Sequence, residues 1–336
     1  MSYASNNHRI SGKGLIIACL ILFGCEIYLH YDGFLHRYRS VFAVGRAADK
    51  IDYVIENRPR LVLVGNSRVD NAIDPALLTE YLDLKRDNAF NLGVPGVNTI
   101  ALSGITDLLL ASAYYSDSED VFVLLGLDES LFTLKDELNY SVFFANRWKL
   151  LKYSEFRLFI STVFRLWGFS DNLKGLREPG RFQDFLQATL SDRESWGGPI
   201  SQNLGFRAQN GELSAKDSAG SIAVYPTAAL DPVATDFFYN LIDSLLEKQV
   251  NIAVFFAPLF GRESLFEKRS GNDQYQAVIN FLRDRQVAIL STTMGLDFTH
   301  KDFLDAGHLN VIGAKKFTAS LAESIFAIWP DLGKGS

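Results

Sequence analysis

The chain has 336 residues, of which 48% are hydrophobic and 21% charged, and its formal net charge is −6. This apolar content excludes an intrinsically disordered polypeptide. The acidic balance, with no Lys/Arg run and no basic–aromatic interleaving, argues against a nucleic-acid partner and leaves a glycan or another small substrate open.

The first element is apolar. Residues 14–29 (GLIIACLILFGCEIYL) follow a polar lead containing Arg9 and Lys13. A positive lead before such a run has the form of a secretory signal or signal-anchor. The run is short beside a full span of about 20 residues, and Glu26 sits near its far end. The alternative is a helix buried in the protein core. The expectation is an uncleaved, single-pass anchor over residues 1–33, with the rest of the chain outside the cytoplasm. Both cysteines, Cys19 and Cys25, lie in this run, so everything beyond it is free of thiols. A cysteine nucleophile, a thiolate zinc site and an internal disulfide are thereby excluded there. Neither a metal nor an organic cofactor is expected.

A polar, helical connector is expected over residues 34–59. Beyond it come short runs rich in Val, Ile, Leu and Phe: Leu61–Val64, Val121–Leu125, Ile252–Phe256 and Val287–Leu290, with Ala89–Leu92 a weaker fifth. They lack strict alternation, as strands buried on both faces of a parallel sheet do. Helical patterns lie between them. Asp74-Pro75 opens one, with Asp as N-cap and Pro in the first turn. Others run over Thr99–Tyr115, Pro232–Gln249, Asn272–Arg285 and Ala314–Trp329. This alternation predicts an α/β fold, a three-layer αβα sandwich over residues 60–330, with its ligand site at the carboxyl ends of the strands. Residues 132 to about 225 break the pattern with an aromatic- and arginine-rich stretch. They are read as a mainly helical insertion that either caps the functional edge of the sheet or packs on its core.

Two short segments carry chemistry. Leu61–Val64 runs straight into Gly65-Asn66-Ser67-Arg68, which places a serine just past a strand end. Near the C-terminus, Asp305-Ala306-Gly307-His308 puts a carboxylate three residues from an imidazole, in a turn before the last helix. A serine hydroxyl needs a base to take its proton, and the imidazole needs a carboxylate to hold its tautomer. Elimination agrees: of five histidines, three precede the sandwich, and His300 has no comparable carboxylate spacing. Ser67, Asp305 and His308 are therefore the candidate catalytic residues. Arg68 is a candidate substrate contact; Asn66, Asp70 and Arg262 are given no role.

In this order the segments resemble the SGNH (GDSL-like) hydrolase superfamily. LVLVGNSR resembles its first block and puts Ser67 in the nucleophile role. Asn91-Leu92-Gly93-Val94-Pro95-Gly96-Val97-Asn98-Thr99 resembles the second, with Gly96 at the oxyanion-hole glycine. Asp305 and His308 match the last block, D-x-x-H. The third block departs: Gly126-Leu127-Asp128-Glu129 stands where the family has G-x-N-D, whose Asn donates to the oxyanion. An ionised aspartate cannot donate, so either Asp128 is protonated, or another donor such as Asn98 substitutes, or Asp128 has a different role. The N-terminal anchor, GNSR and the altered third block together resemble the cell-envelope branch, which includes DltD-like and alginate-acetylation proteins. That resemblance implies a flavodoxin-like sheet and a serine esterase or O-acyltransferase acting on acylated glycans or other esters, with a membrane acyltransferase as a possible partner. The alternative is a non-catalytic domain of the same fold that binds glycan or scaffolds such a complex.

Overall fold

A computed structural model describes residues 12–112, 121–134, 136, 138–194, 198–214, 229–261, 264, 266, 273–290 and 296–333. The chain opens with α1 (Gly12–Leu29), whose apolar side chains point outward, with Leu20 65% and Phe23 63% exposed. This helix has a mean hydropathy of 1.8 and is long and apolar enough to cross a membrane or serve as a signal anchor. It is not a core helix, because almost nothing in the protein covers it.

After α1 come α2 (Gly33–Arg37) and α3 (Ala43–Asn57). Then follow β1 (Leu61–Gly65), α4 (Ser67–Ala72), α5 (Pro75–Tyr81), β2 (Ala89–Gly93), α6 (Thr99–Ala111) and β3 (Phe122–Leu127). The five strand predictions each fall on a strand, the last two being β4 (Asn251–Phe256) and β5 (Ala288–Leu290). All pair in parallel, in the order β2-β1-β3-β4-β5. Leu61, Val62, Leu63 and Val64 are each at most 5% exposed, so both faces of the strand are covered and no polar alternation was possible.

One face of the sheet carries α3, α6, α14 (Pro232–Glu247) and α15 (Asp273–Asp284); the other carries α4, α5 and α16 (Val311–Ile328). The predicted helix starts hold where a capping side chain marks them. Asp74 accepts from the Ala76 amide at 3.0 Å, and Asp231 from the Val233 amide at 2.9 Å. The last helix begins three residues before Ala314, because Asn310 caps it through the amides of Ile312 and Gly313.

One expectation changes in the structure, and one choice left open is decided. The connector is not a spacer: Val44, Ala47, Ile51 and Val54 form a buried stripe on α3, which is the first helix of the sandwich. Its polar appearance came partly from Arg46 and Lys50, which are themselves buried. The insertion comprises α7 (Tyr140–Phe144), α8 (Arg147–Lys152), α9 (Phe156–Val163), α10 (Arg165–Gly168), α11 (Ser170–Lys174), α12 (Pro179–Leu190) and α13 (Ile200–Asn203). Its body packs on the core through Tyr140, Phe144, Phe169 and Leu204, beside α3 and α6. Among the described residues, its entry borders the carboxyl edge of the sheet, where Leu138 packs at the Gly96 turn and Ser141 reaches Asn98. Its exit runs beside α4 and the last hairpin, the Arg207 and Leu213 amides donating to the carbonyls of Asp70 and Phe303.

The strand ends explain how α4 sits so close to the sheet. A Cβ on Gly93 would fall 2.3 Å from the Asp70 amide nitrogen, and one on Gly126 would fall 2.2 Å from Val69 Cγ2. Backbone cannot give way as a flexible side chain can. Gly93→Ala is expected to destabilise the protein by about 2 kcal/mol or more, read as a lowered denaturation midpoint. An unchanged midpoint would mean that α4 is free to move.

Candidate active site

Ser67 is the first residue of α4, immediately beyond β1. It stands where the strand order reverses between β1 and β3, which is where open α/β sheets form ligand crevices. Asn66 sets this turn. Its Oδ1 accepts from the Arg68 amide at 3.0 Å, and its Nδ2 donates to Ser130 Oγ at 2.9 Å. The Ser67 amide, as the first of its helix, has no acceptor one turn earlier.

His308 and Asp305 lie on a small antiparallel hairpin, β6 (Phe303–Asp305) and β7 (His308–Leu309), rather than in a plain turn. The two residues are directly opposed in its register, which is why their side chains meet. His308 Nδ1 lies 2.8 and 2.9 Å from the two carboxylate oxygens of Asp305, and His308 Nε2 lies 2.8 Å from Ser67 Oγ. The Gly307 amide also donates to Asp305, at 2.8 Å. A proton on Nδ1, facing the carboxylate, leaves Nε2 to accept from the serine. Burial pushes the Asp305 carboxyl up, but the His308 imidazole and the amides of Gly307 and His308 outweigh it and hold the group below its ordinary range. Residues 241 positions apart are thus joined in one hydrogen-bonded relay. Such a relay can deprotonate the serine as it attacks a carbonyl, and can carry the resulting imidazolium.

The structure buries Arg68, the candidate substrate contact, and Asp128, whose role the sequence leaves open: they are 8% and 2% exposed, and their side chains pair with each other. Asp128 also accepts from the Ser130 amide at 2.6 Å, and Glu129 lies 3.5 Å from the same guanidinium. The third segment therefore contributes an aspartate whose charge is balanced by the residue next to the serine.

Asn98 is committed elsewhere than to an oxyanion: it caps α6 by accepting from the Ala101 amide, while its Nδ2 faces the carbonyls of Thr133 (3.0 Å) and Leu134 (3.5 Å). It holds the entry of the insertion against the Gly96 turn. Gly96 itself is exposed and takes a φ of +74°, which glycine adopts freely.

Several supporting residues were given no role by the sequence. Asn91 is fully buried in β2 and donates from Nδ2 to the carbonyls of Val69 and Ile73, each at 2.8 Å, so it fixes the far end of α4. Lys50 donates to Asp70 on α4 and to the Gly93 carbonyl, both at 2.6 Å. Burial pulls its ammonium down to about 8, against the attraction of Asp70. A lone Asn in a strand or a Lys in a helix has no pattern to read; a buried partner gives it meaning. Arg262 lies outside the described residues.

Among the described residues no cluster of His, Cys, Asp and Glu is arranged to hold a metal ion. The fold and site define an α/β protein with a Ser–His–Asp relay at the carboxyl edge of a parallel sheet. No protein-family model matches the chain, and no curated protein matches it in sequence.

Proposed function

We propose that the chain is a membrane-tethered serine esterase or O-acyltransferase of the SGNH kind. Its substrates are ester-linked acyl groups on cell-envelope or exopolysaccharide glycans, and its domain lies outside the cytoplasm. The observation that carries this reading is the relay from Ser67 Oγ through His308 to Asp305, already at hydrogen-bond distance throughout. A turn or capping role for these residues would not require all three to meet.

In the proposed mechanism Ser67 attacks the ester carbonyl while His308 takes its proton. The amides of Ser67 and Gly96 stabilise the oxyanion. His308 then returns the proton to the departing alcohol, leaving an acyl-serine. Water, or a sugar hydroxyl in the transferase case, attacks this intermediate with His308 again as base, and the acyl–Oγ bond breaks as His308 returns the proton to Ser67. The choice of glycan and of a membrane acyltransferase as partner rests on family analogy.

A second reading, a non-catalytic glycan-binding or scaffold domain, is favoured by one feature: neither Asp128 nor Asn98 offers a side-chain donor to an oxyanion. A fluorophosphonate probe on the full chain separates the two. Labelling at Ser67, located by mass spectrometry and absent in Ser67→Ala, supports the enzyme. A folded chain that does not label supports the binding domain.

The Asp305 carboxyl sets a pH expectation. Its depressed folded value means the stability it contributes is complete above its unfolded pKa of about 3.9 and is lost as pH falls through the folded value. Asp305→Asn should therefore make unfolding less dependent on pH through the acid range, read as denaturation midpoints against pH; an unchanged dependence would show that the carboxylate contributes no stability there.

A further inference from the structure

The insertion has a surface that the proposed chemistry does not use. Phe156 and Ile160 lie one turn apart on α9, and beyond the break at Phe164 the lining of a single groove puts Ile160, Phe164 and Trp167 of α10 on the same side. Phe156, Ile160, Phe164 and Trp167 are 60%, 44%, 57% and 51% exposed. The buried side of α9 instead holds Ser161 and Thr162, whose hydroxyls bond back to the carbonyls of Leu158 and Phe159. Beside them Leu158 and Phe159 pack inward against Ile100, Leu150 and Phe237, so α9 is apolar on its outward side as well as its inward one, which does not suit a helix that faces water.

This face is continuous with α1. Ile160, Phe164 and Trp167 line one side of a groove, and Cys19, Leu22 and Phe23 of α1 line the other. The two walls are locked together at Glu26. Its carboxylate accepts from the backbone amides of Arg165 (2.7 Å) and Leu166 (2.8 Å) at the start of α10, and from His30 Nε2 (2.9 Å). Arg165 Nη1 returns a bond to the Leu29 carbonyl at 2.8 Å. A carboxylate near the end of an apolar helix is costly unless paired; here backbone amides of the insertion satisfy it.

The lock fixes a depth. Cys19 lies seven residues before Glu26, about 10 Å along the helix axis. The α1 wall of the groove extends over this stretch, from Glu26 to Cys19, and Ile160, Phe164 and Trp167 line the wall facing it. Helices that lie in a membrane interface bury their apolar face by about 5–10 Å. The segment 147–181 is net basic, with eight lysines and arginines against three acids in a chain of net charge −6, which suits an anionic surface, although Lys149 and Lys174 are already paired with Asp107 and Asp171.

We propose that α9 and α10 form a second membrane-contacting element, embedded through Phe156, Ile160, Phe164 and Trp167 in the same leaflet as the C-terminal half of α1. The occupant of this surface is the lipid bilayer. The α/β domain therefore rests on the membrane in one orientation instead of swinging from a tether. The proposal rests on α1 spanning the bilayer and is independent of the chemistry at Ser67.

The test uses the full chain in lipid-only nanodiscs of phosphatidylcholine with a minority of phosphatidylglycerol. Single nitroxide labels are placed at native Cys19 (with Cys25→Ser), and at Ile160→Cys, Phe164→Cys and Phe326→Cys (each with Cys19→Ser and Cys25→Ser). Phe326 is 60% exposed on α16, across the sheet from the insertion, and serves as the aqueous control. Collisions with oxygen and with a water-soluble nickel chelate are compared. Ile160 and Phe164 are expected to favour oxygen, as Cys19 does, giving a positive depth parameter against a negative one at Phe326. If Ile160 and Phe164 behave like Phe326 while Cys19 stays lipid-exposed, the proposal is overturned; a face reserved for a protein partner gives this result. If Cys19 is also water-exposed, the spanning reading of α1 falls as well.

Discussion

Ser67→Ala and His308→Ala are each expected to lower ester hydrolysis by at least about 10³-fold, and the double variant to be no slower than either single one. The two groups act as one unit, since the serine is nucleophilic only while the imidazole accepts its proton across the 2.8 Å contact. Removing either member removes the function of both, so the losses do not add. Neither substitution should alter folding much: Ser67 is at the sheet edge, and the His308 side chain is 30% exposed. Steady-state hydrolysis of a short-chain aryl ester, alongside thermal unfolding of each variant, measures both halves. Additive losses would show that the two residues act independently and would remove the basis for the proposed mechanism.

Arg68→Met is expected to destabilise the protein by about 3–5 kcal/mol, because it strands the Asp128 carboxylate in a place where it is only 2% exposed. Asp128→Asn added to Arg68→Met should recover most of that loss, since no buried charge is then left unpaired. A double-mutant cycle in denaturant isolates the pair from the rest of the site. Activity should follow the same order. An unbalanced aspartate beside the serine opposes a developing oxyanion, so Arg68→Met should be slower than the double variant. If Arg68→Met unfolds at the wild-type midpoint, the ion pair carries no structural weight, and the altered third segment needs another explanation.

This pair also separates what was legible in the sequence from what was not. Asp128 stood out as a break in an otherwise matching pattern, but the pattern offered three explanations and no means to choose. Its partner is adjacent to the serine, 60 residues away in the chain. Charge balance of that kind is set by which strand ends lie side by side, here β1 and β3. Asn98 misled for the same reason. Its donor capacity was evident, but its use depended on Thr133, which enters from the insertion.

The five strands, their parallel character and most helix starts were determined by the sequence itself. Burial on both faces writes a continuous apolar run, and a capping Asp writes a fixed offset to its helix. The serine and the Asp–His pair were also local, each within a segment of six residues. Tertiary structure alone decided the rest. It drew the connector into the core, because a helix with Arg46 and Lys50 on its inner side becomes buriable only where Asp70 receives Lys50. It turned Asn91 and Asn66 into supports for α4, because a buried amide takes its role from carbonyls and amides supplied by the packed chain. And it joined α1 to the insertion at Glu26, a residue that in the sequence only shortened an apolar run. Periodicity and capping are short-range and leave a record in neighbouring residues; the pairing of buried polar groups is long-range and leaves none.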